Sequence, residues 1–132
     1  MATPRPHPFF DDKRNVAWFE RLPDAIEVAR AEGKRVFLLA GGPRCAGTRS
    51  LVERSVSKEE IADYLNAHFV AVTVDPAAAE PDVTALLAAL PRREPTPLCV
   101  YLTVEGRVVH ATAGGRPPAV LLTDMLEATN RK

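Results

Sequence analysis

VFLLAGGPRCAGT, Val36 to Thr48, is the stretch on which the reading of the whole chain turns. Val36 to Ala40 form an unbroken apolar run, the pattern of a short strand buried on both faces. Gly41, Gly42 and Pro43 stop that strand and supply a turn. Cys45 follows where a new helix begins. A sulfur there meets unpaired backbone N–H groups and the positive end of the helix dipole, which favour thiolate over thiol. Arg44 and Arg49 flank it. The opposing reading makes Cys45 a small apolar filler, since free cysteine is usually buried and inert. The turn and the two arginines favour the reactive one.

Outward from this stretch, 132 residues fit one domain able to bury a core without covalent staples. The chain is 46% apolar, and 17 basic residues balance 17 acidic ones, a composition that argues against disorder and against a general nucleic-acid surface. Cys45 and Cys99 are too few for a disulfide scaffold and are not spaced as a metal pair. His7, His68 and His110 are scattered, so no metal site is predicted. No apolar run reaches membrane-spanning length, and Met1 to Arg14 lacks the hydrophobic middle of a signal peptide. The expectation is a cytoplasmic protein without a membrane partner, its oligomeric state left open.

Residues 1–14, with Pro4, Pro6 and Pro8 among mixed charges, read as an extended or loosely attached arm. Phe9 and Phe10 pin it to the domain or mark a contact with another chain, and the first is preferred. Residues 15–132 read as a single domain. Trp18 and Phe19 lead into a first helix, with Pro23 in its first turn, Leu22, Ala25, Ile26 and Ala29 on one face, and Gly33 ending it. The helix after Cys45 carries Leu51 and Val52 inward and breaks near Ser55 to Ser57. Ser57 and Glu60 form a capping box for a further helix through Ile61, Tyr64 and Leu65, with His68 at its end. Phe69 to Val74 is a second strand, stopped by Asp75-Pro76. Asp82 caps a helix bearing Val83, Leu86, Leu87 and Leu90. Leu98 to Leu102 and Arg107 to Thr112 make a hairpin around Glu105-Gly106. Pro117 and Pro118 open a last helix whose apolar positions include Leu121, Leu122, Met125 and Leu126.

This order predicts an α/β fold. A helical crossover makes the first two strands parallel, and the hairpin is antiparallel. The sum is a four-stranded mixed sheet with helices on both faces.

A cysteine at the turn after the first central strand, in this arrangement, resembles the thioredoxin superfamily from about Trp18 to the C-terminus. VFLLAGGPRCAGTR has the strand–turn–Cys–x–x–x spacing of that family's redox motif. It puts Cys45 at the nucleophilic position and Thr48 at the resolving one. YLNAHFVAVTVDP is similar to the helix-to-strand passage of members with a long, broken active-site helix. Thr96-Pro97, followed by LCVYLTVEGR, resembles the family's cis-proline loop and hairpin. The order and spacing of these three strings make the resemblance specific.

Three departures stand beside it. Thr48 replaces the second thiol, and a hydroxyl cannot attack a mixed disulfide. Arg44 replaces the usual aromatic residue before the nucleophile. Leu39 stands where many thioredoxins carry a buried carboxylate. The pattern therefore argues against dithiol cycling. Cys99, two residues after the proline, reads as core rather than as a substitute resolving thiol.

The resemblance then implies a division of roles. Cys45 is the nucleophile, and the Thr48 hydroxyl and the N–H groups of Gly47 and Thr48 stabilise its sulfur. Arg44 and Arg49 attract an anionic partner such as glutathione, and Thr96 beside a cis Pro97 offers backbone groups to an extended substrate. For the arginines, simple solvation is an equal alternative; for Thr96, a plain turn is. Two functional classes follow. One is a monothiol thiol–disulfide exchange or antioxidant protein, needing no cofactor and using glutathione or a protein thiol as co-substrate. The other is a non-catalytic thioredoxin-fold module that binds a partner polypeptide and keeps Cys45 as a remnant.

Overall fold

The computed structural model describes residues 3–132. Its elements are β1 (Trp18–Phe19), α1 (Leu22–Glu32), β2 (Arg35–Ala40), α2 (Ala46–Ser50), α3 (Glu59–His68), β3 (Phe69–Val74), α4 (Pro81–Ala88), β4 (Leu98–Leu102), β5 (Val108–Ala113) and α5 (Pro118–Asn130). The sheet has five strands in the order β1-β3-β2-β4-β5, not the expected four. The additional strand is β1, whose two residues pair in parallel with Ala71 and Val72 of β3. Trp18 and Phe19 thus join the sheet edge rather than leading directly into the helix. A two-residue strand is too short to show alternation, so nothing local in the sequence marks it.

The expected directions hold elsewhere. β2 lies parallel to β3 with Val36 opposite Val70, and antiparallel to β4 with Leu39 opposite Cys99. β4 and β5 form the antiparallel hairpin. Alternation along β2 divides the core in two. Phe37 and Leu39 face the layer built from α3, α5 and the segment after Cys45, while Val36, Leu38 and Ala40 face α1 and α4. Every side chain from Val36 to Ala40 is fully buried, as a central strand covered on both faces requires.

Several element boundaries follow local chemistry. Gly33 ends α1 at φ 69°, the left-handed geometry a glycine adopts without penalty. After α2 the chain widens into a π-helix, Leu51–Val56, before it turns. Ser57 Oγ donates back to the Glu53 carbonyl at 2.5 Å, so the expected Ser57–Glu60 capping box does not form, and Lys58 precedes α3 instead. Nor does Asp82 cap α4. Glu80 holds that position, Pro81 opens the helix, and Asp82 Oδ1 accepts from the Val83 N–H at 2.8 Å.

The arm is anchored by side chains that come from far along the chain. Arg5 and Trp18 exchange backbone hydrogen bonds of 2.9 and 2.7 Å. His7 is buried, bonded through Nε2 to Thr73 Oγ1 at 2.9 Å and set edge-on against the Trp18 ring. Trp18 Nε1 in turn donates to buried Asp12 at 2.8 Å. Phe10 packs on the core, whereas Phe9 stays 48% exposed.

Candidate functional site

β2 delivers the chain to one end of the sheet, and the turn Gly41 to Arg44 folds it back. The Cys45 N–H donates to the Gly42 carbonyl at 3.2 Å, and the Cys45 carbonyl accepts from the Arg49 N–H at 3.0 Å. Cys45 itself is extended, at φ −87° and ψ 114°, and occupies the N-cap position of α2. Its sulfur is half-buried and free.

The Thr96–Pro97 loop closes on this turn. Thr96 Oγ1 lies 3.2 Å from Cys45 Sγ, and the Thr96–Pro97 peptide is cis, as is Glu94–Pro95. Gly47 is the point of closest approach. A Cβ there would lie 3.0 Å from Pro97 Cδ and 3.1 Å from the Thr96 carbonyl oxygen, so a side chain would push the loop away. The Pro97 carbonyl is held by the Gly114 N–H at 2.9 Å, which ties the loop to the end of β5.

Two opposing effects act on the Cys45 thiol. Partial burial pushes its pKa up, whereas the hydroxyls of Thr48 and Thr96 and the N–H groups of Thr48 and Gly47 pull it down. The hydrogen-bonding groups prevail, and the pKa falls below its ordinary value. Thr48 is fully buried, yet its Oγ1 completes no hydrogen bond of proper geometry among the described residues. Its nearness to the sulfur makes it an unspent donor that a thiolate can engage.

The six residues expected at the site divide into two groups. Cys45, Thr96 and Pro97 converge, as the distances above describe, and Thr48 joins them as a group that favours the thiolate. Arg44 and Arg49 project outward and are exposed. Arg49 Nε pairs with Glu53 Oε1 at 3.0 Å, and Glu53 also accepts the Asp11 N–H at 3.4 Å, so part of the charge is already compensated. The leading groups that favour the thiolate are hydrogen-bond donors rather than these guanidinia. The residues that sequence reasoning passed over are the Thr96 hydroxyl, Gly47 as the contact point and Gly114 as the clamp. A threonine directly before a proline was the one signal available for the first.

Cys99 is sealed within the core at no measurable exposure, and burial pushes its thiol up to about 12. Leu39 is equally buried, so no carboxylate lies at that point of the central strand. Among the described residues no group of three or more His, Cys, Asp or Glu side chains is arranged to hold a metal ion. No helix among them is long and apolar enough to cross a membrane.

A mixed sheet between two helical layers, with a cysteine at the helix mouth opposite a cis-proline loop, defines a member of the thioredoxin superfamily. Known structures share this architecture. A thioredoxin from Thermus thermophilus superposes with a TM-score of 0.73 at 24% identity, covering 88% of each chain. A putative disulphide-isomerase from Bacteroides thetaiotaomicron gives 0.70 at 23% identity over 89% of this chain and 96% of its own. A DsbH oxidoreductase gives 0.65 at 17% identity over 89% and 87%. Within the superfamily, the chain belongs to the Thioredox_DsbH family (protein of unknown function, DUF255), which matches residues 7–124. Spermatogenesis-associated protein 20 of Rattus norvegicus is 33% identical over 114 residues, 85% of this chain; the chain spans only 12% of that protein's length.

Proposed function

We propose that this chain is a thioredoxin-fold monothiol exchange protein in which Cys45 acts alone and an external thiol completes the cycle. The observation that carries the reading is the setting of the Cys45 sulfur. It is half-buried at a helix N-cap, 3.2 Å from the Thr96 hydroxyl, with hydrogen-bond donors that favour its thiolate. Cys99 has neither the exposure nor the acidity to take part.

In the first step the Cys45 thiolate attacks one sulfur of a disulfide. A bond forms between the two sulfurs, the original S–S bond breaks, and the other sulfur leaves as a thiolate that takes a proton from water. In the second step a thiolate of glutathione or of a protein attacks the partner's sulfur in the mixed disulfide. Cys45 leaves as a thiolate. Thr48 and Thr96 serve as donors to the sulfur in both steps, and the backbone beside Pro97 is available to pair with an extended substrate.

The rate of iodoacetamide alkylation against pH, with Cys45→Ser as the blank, tests this. The expected midpoint lies below about 8.5, the reference value for cysteine. A midpoint at or above that reference would favour the other reading, a binding module in which the same groove holds a partner polypeptide and Cys45 does no chemistry.

A further inference from the structure

Two hollows adjoin the Gly114 clamp, and one side chain separates them. The first, about 390 Å³, lies between the helical segment after Cys45 and the β5–α5 loop, with Ser50, Arg54, Gly115 and Arg116 among its walls. The second, about 230 Å³, lies beyond Arg116 and is walled by Pro91, Arg92 and Thr112. Arg116 lines both. Its guanidinium is held in place by Asp124, which accepts from Nε at 2.7 Å and Nη2 at 3.0 Å. Ser55 Oγ donates to the Arg116 carbonyl at 2.7 Å and fixes the backbone as well.

Arg54 and Arg92, at the two ends, are exposed, and neither has an ion-pair or hydrogen-bond partner among the described residues. Asp124 is committed to Arg116, and no carboxylate lines either hollow. Two uncompensated guanidinia on either side of a fixed one already paired with Asp124 are suited to carboxylates, which arginine binds through paired N–H donors. The spacing selects the kind of carboxylate. Arg54 follows Cys45 by nine positions, α-helical to Ser50 and π-helical beyond, so its backbone lies no more than roughly 13 Å along the helix from Cys45. An extended peptide covers that distance in about four residues. Glutathione has a single residue on each side of its cysteine.

From this we infer that the Arg54–Arg116–Arg92 trough is a specificity site for an acidic polypeptide, one carrying a carboxylate about four residues from the cysteine presented to Cys45. The inference rests on the exchange reading for the position of the partner's cysteine, and the trough names the substrate class: acidic protein segments rather than small thiols.

Binding by fluorescence anisotropy tests this without any disulfide chemistry. A labelled peptide with serine in place of cysteine and Glu four residues away is compared with its Gln twin. At low salt the Glu peptide is expected to bind about tenfold more tightly, and the ratio should fall towards one as salt shortens the screening length to about 3 Å. Arg54→Gln and Arg92→Gln should each cut the low-salt ratio at least about threefold, and the double variant should abolish it. Circular dichroism of the variants checks that the fold is kept. Equal binding of the two peptides, or a preference that survives in the double variant, would overturn the assignment. So would glutathione displacing the Glu peptide with the same arginine dependence, since the small thiol would then be the ligand. A normal Cys45 pKa beside an intact Glu preference would sink the exchange chemistry and leave this site standing.

Discussion

The Thr48 side chain fills the space directly against Gly41. A Cβ on Gly41 would fall 2.0 Å from Thr48 Oγ1 and 2.9 Å from Thr48 Cβ, so no rotation of the threonine relieves the clash. Gly41→Ala is expected to cost about 1–3 kcal/mol in urea melts. Combining it with Thr48→Ala should recover part of that cost and give a non-zero coupling energy in a double-mutant cycle. Purely additive effects would show that the two residues do not compete for the space.

The Thr48 hydroxyl is buried without a partner, so removing it while keeping the shape should not weaken the fold. Thr48→Val is expected to leave stability unchanged or raise it by up to about 1 kcal/mol. The same change takes away a group that favours the thiolate, so the Cys45 pKa should rise. Thiolate absorbance against pH reads the second effect and thermal melting the first.

Position 48 is also where a second sulfur would restore dithiol chemistry. The wild-type protein should reduce insulin disulfides barely above the uncatalysed rate. Thr48→Cys should raise turnover at least about tenfold, because an internal thiol replaces a bimolecular second step. If the variant stays inert, the groove itself is not competent.

His7 makes the fold sensitive to acid. Burial lowers its pKa to about 4 against an ordinary 6.5, although Asp12 and Glu20 pull the other way. Between those values the unfolded chain binds more protons than the folded one, so stability is full above about pH 6.5 and falls as pH drops to 4. The loss should total about 3 kcal/mol. Denaturant melts across that range, with His7→Gln for comparison, should show a flatter profile in the variant; parallel profiles would mean that His7 is not the group responsible.

The Arg116–Asp124 pair holds the loop that carries the trough. Asp124 is buried and Arg116 is partly open, so Asp124→Asn should cost about 2–3 kcal/mol, below the figure for a fully enclosed pair. Hydrogen exchange should accelerate at Gly114 and Gly115. An unchanged exchange rate would place the loop's rigidity in the Ser55 bond instead.

Most of the scaffold could be read from residue order, because it rests on local pattern. Val36 to Ala40 needed only its apolar run, Gly33 only its position, and Cys99 only its place in a buried strand. The elements that escaped notice depend on partners far along the chain. β1 exists because Ala71 and Val72 lie beside it, and His7 is held by Thr73, 66 residues away. The Ser57–Glu60 box matched a motif, yet the π-helical turn offered the Ser57 hydroxyl a nearer carbonyl. At the site, Cys45, Thr48, Thr96 and Pro97 were visible as residue types in a familiar order. The Arg54–Arg116–Arg92 trough was not, because it joins three segments that only the folded chain brings together.

The two cysteines differ so completely in access that each can serve as an independent clock. A thiol reagent in native buffer should modify Cys45 at a pace set by its own acidity. It should reach Cys99 only during rare whole-molecule opening, because the central strands surround it. One time course with one reagent would therefore record both site chemistry and the lifetime of the folded state, without an added probe.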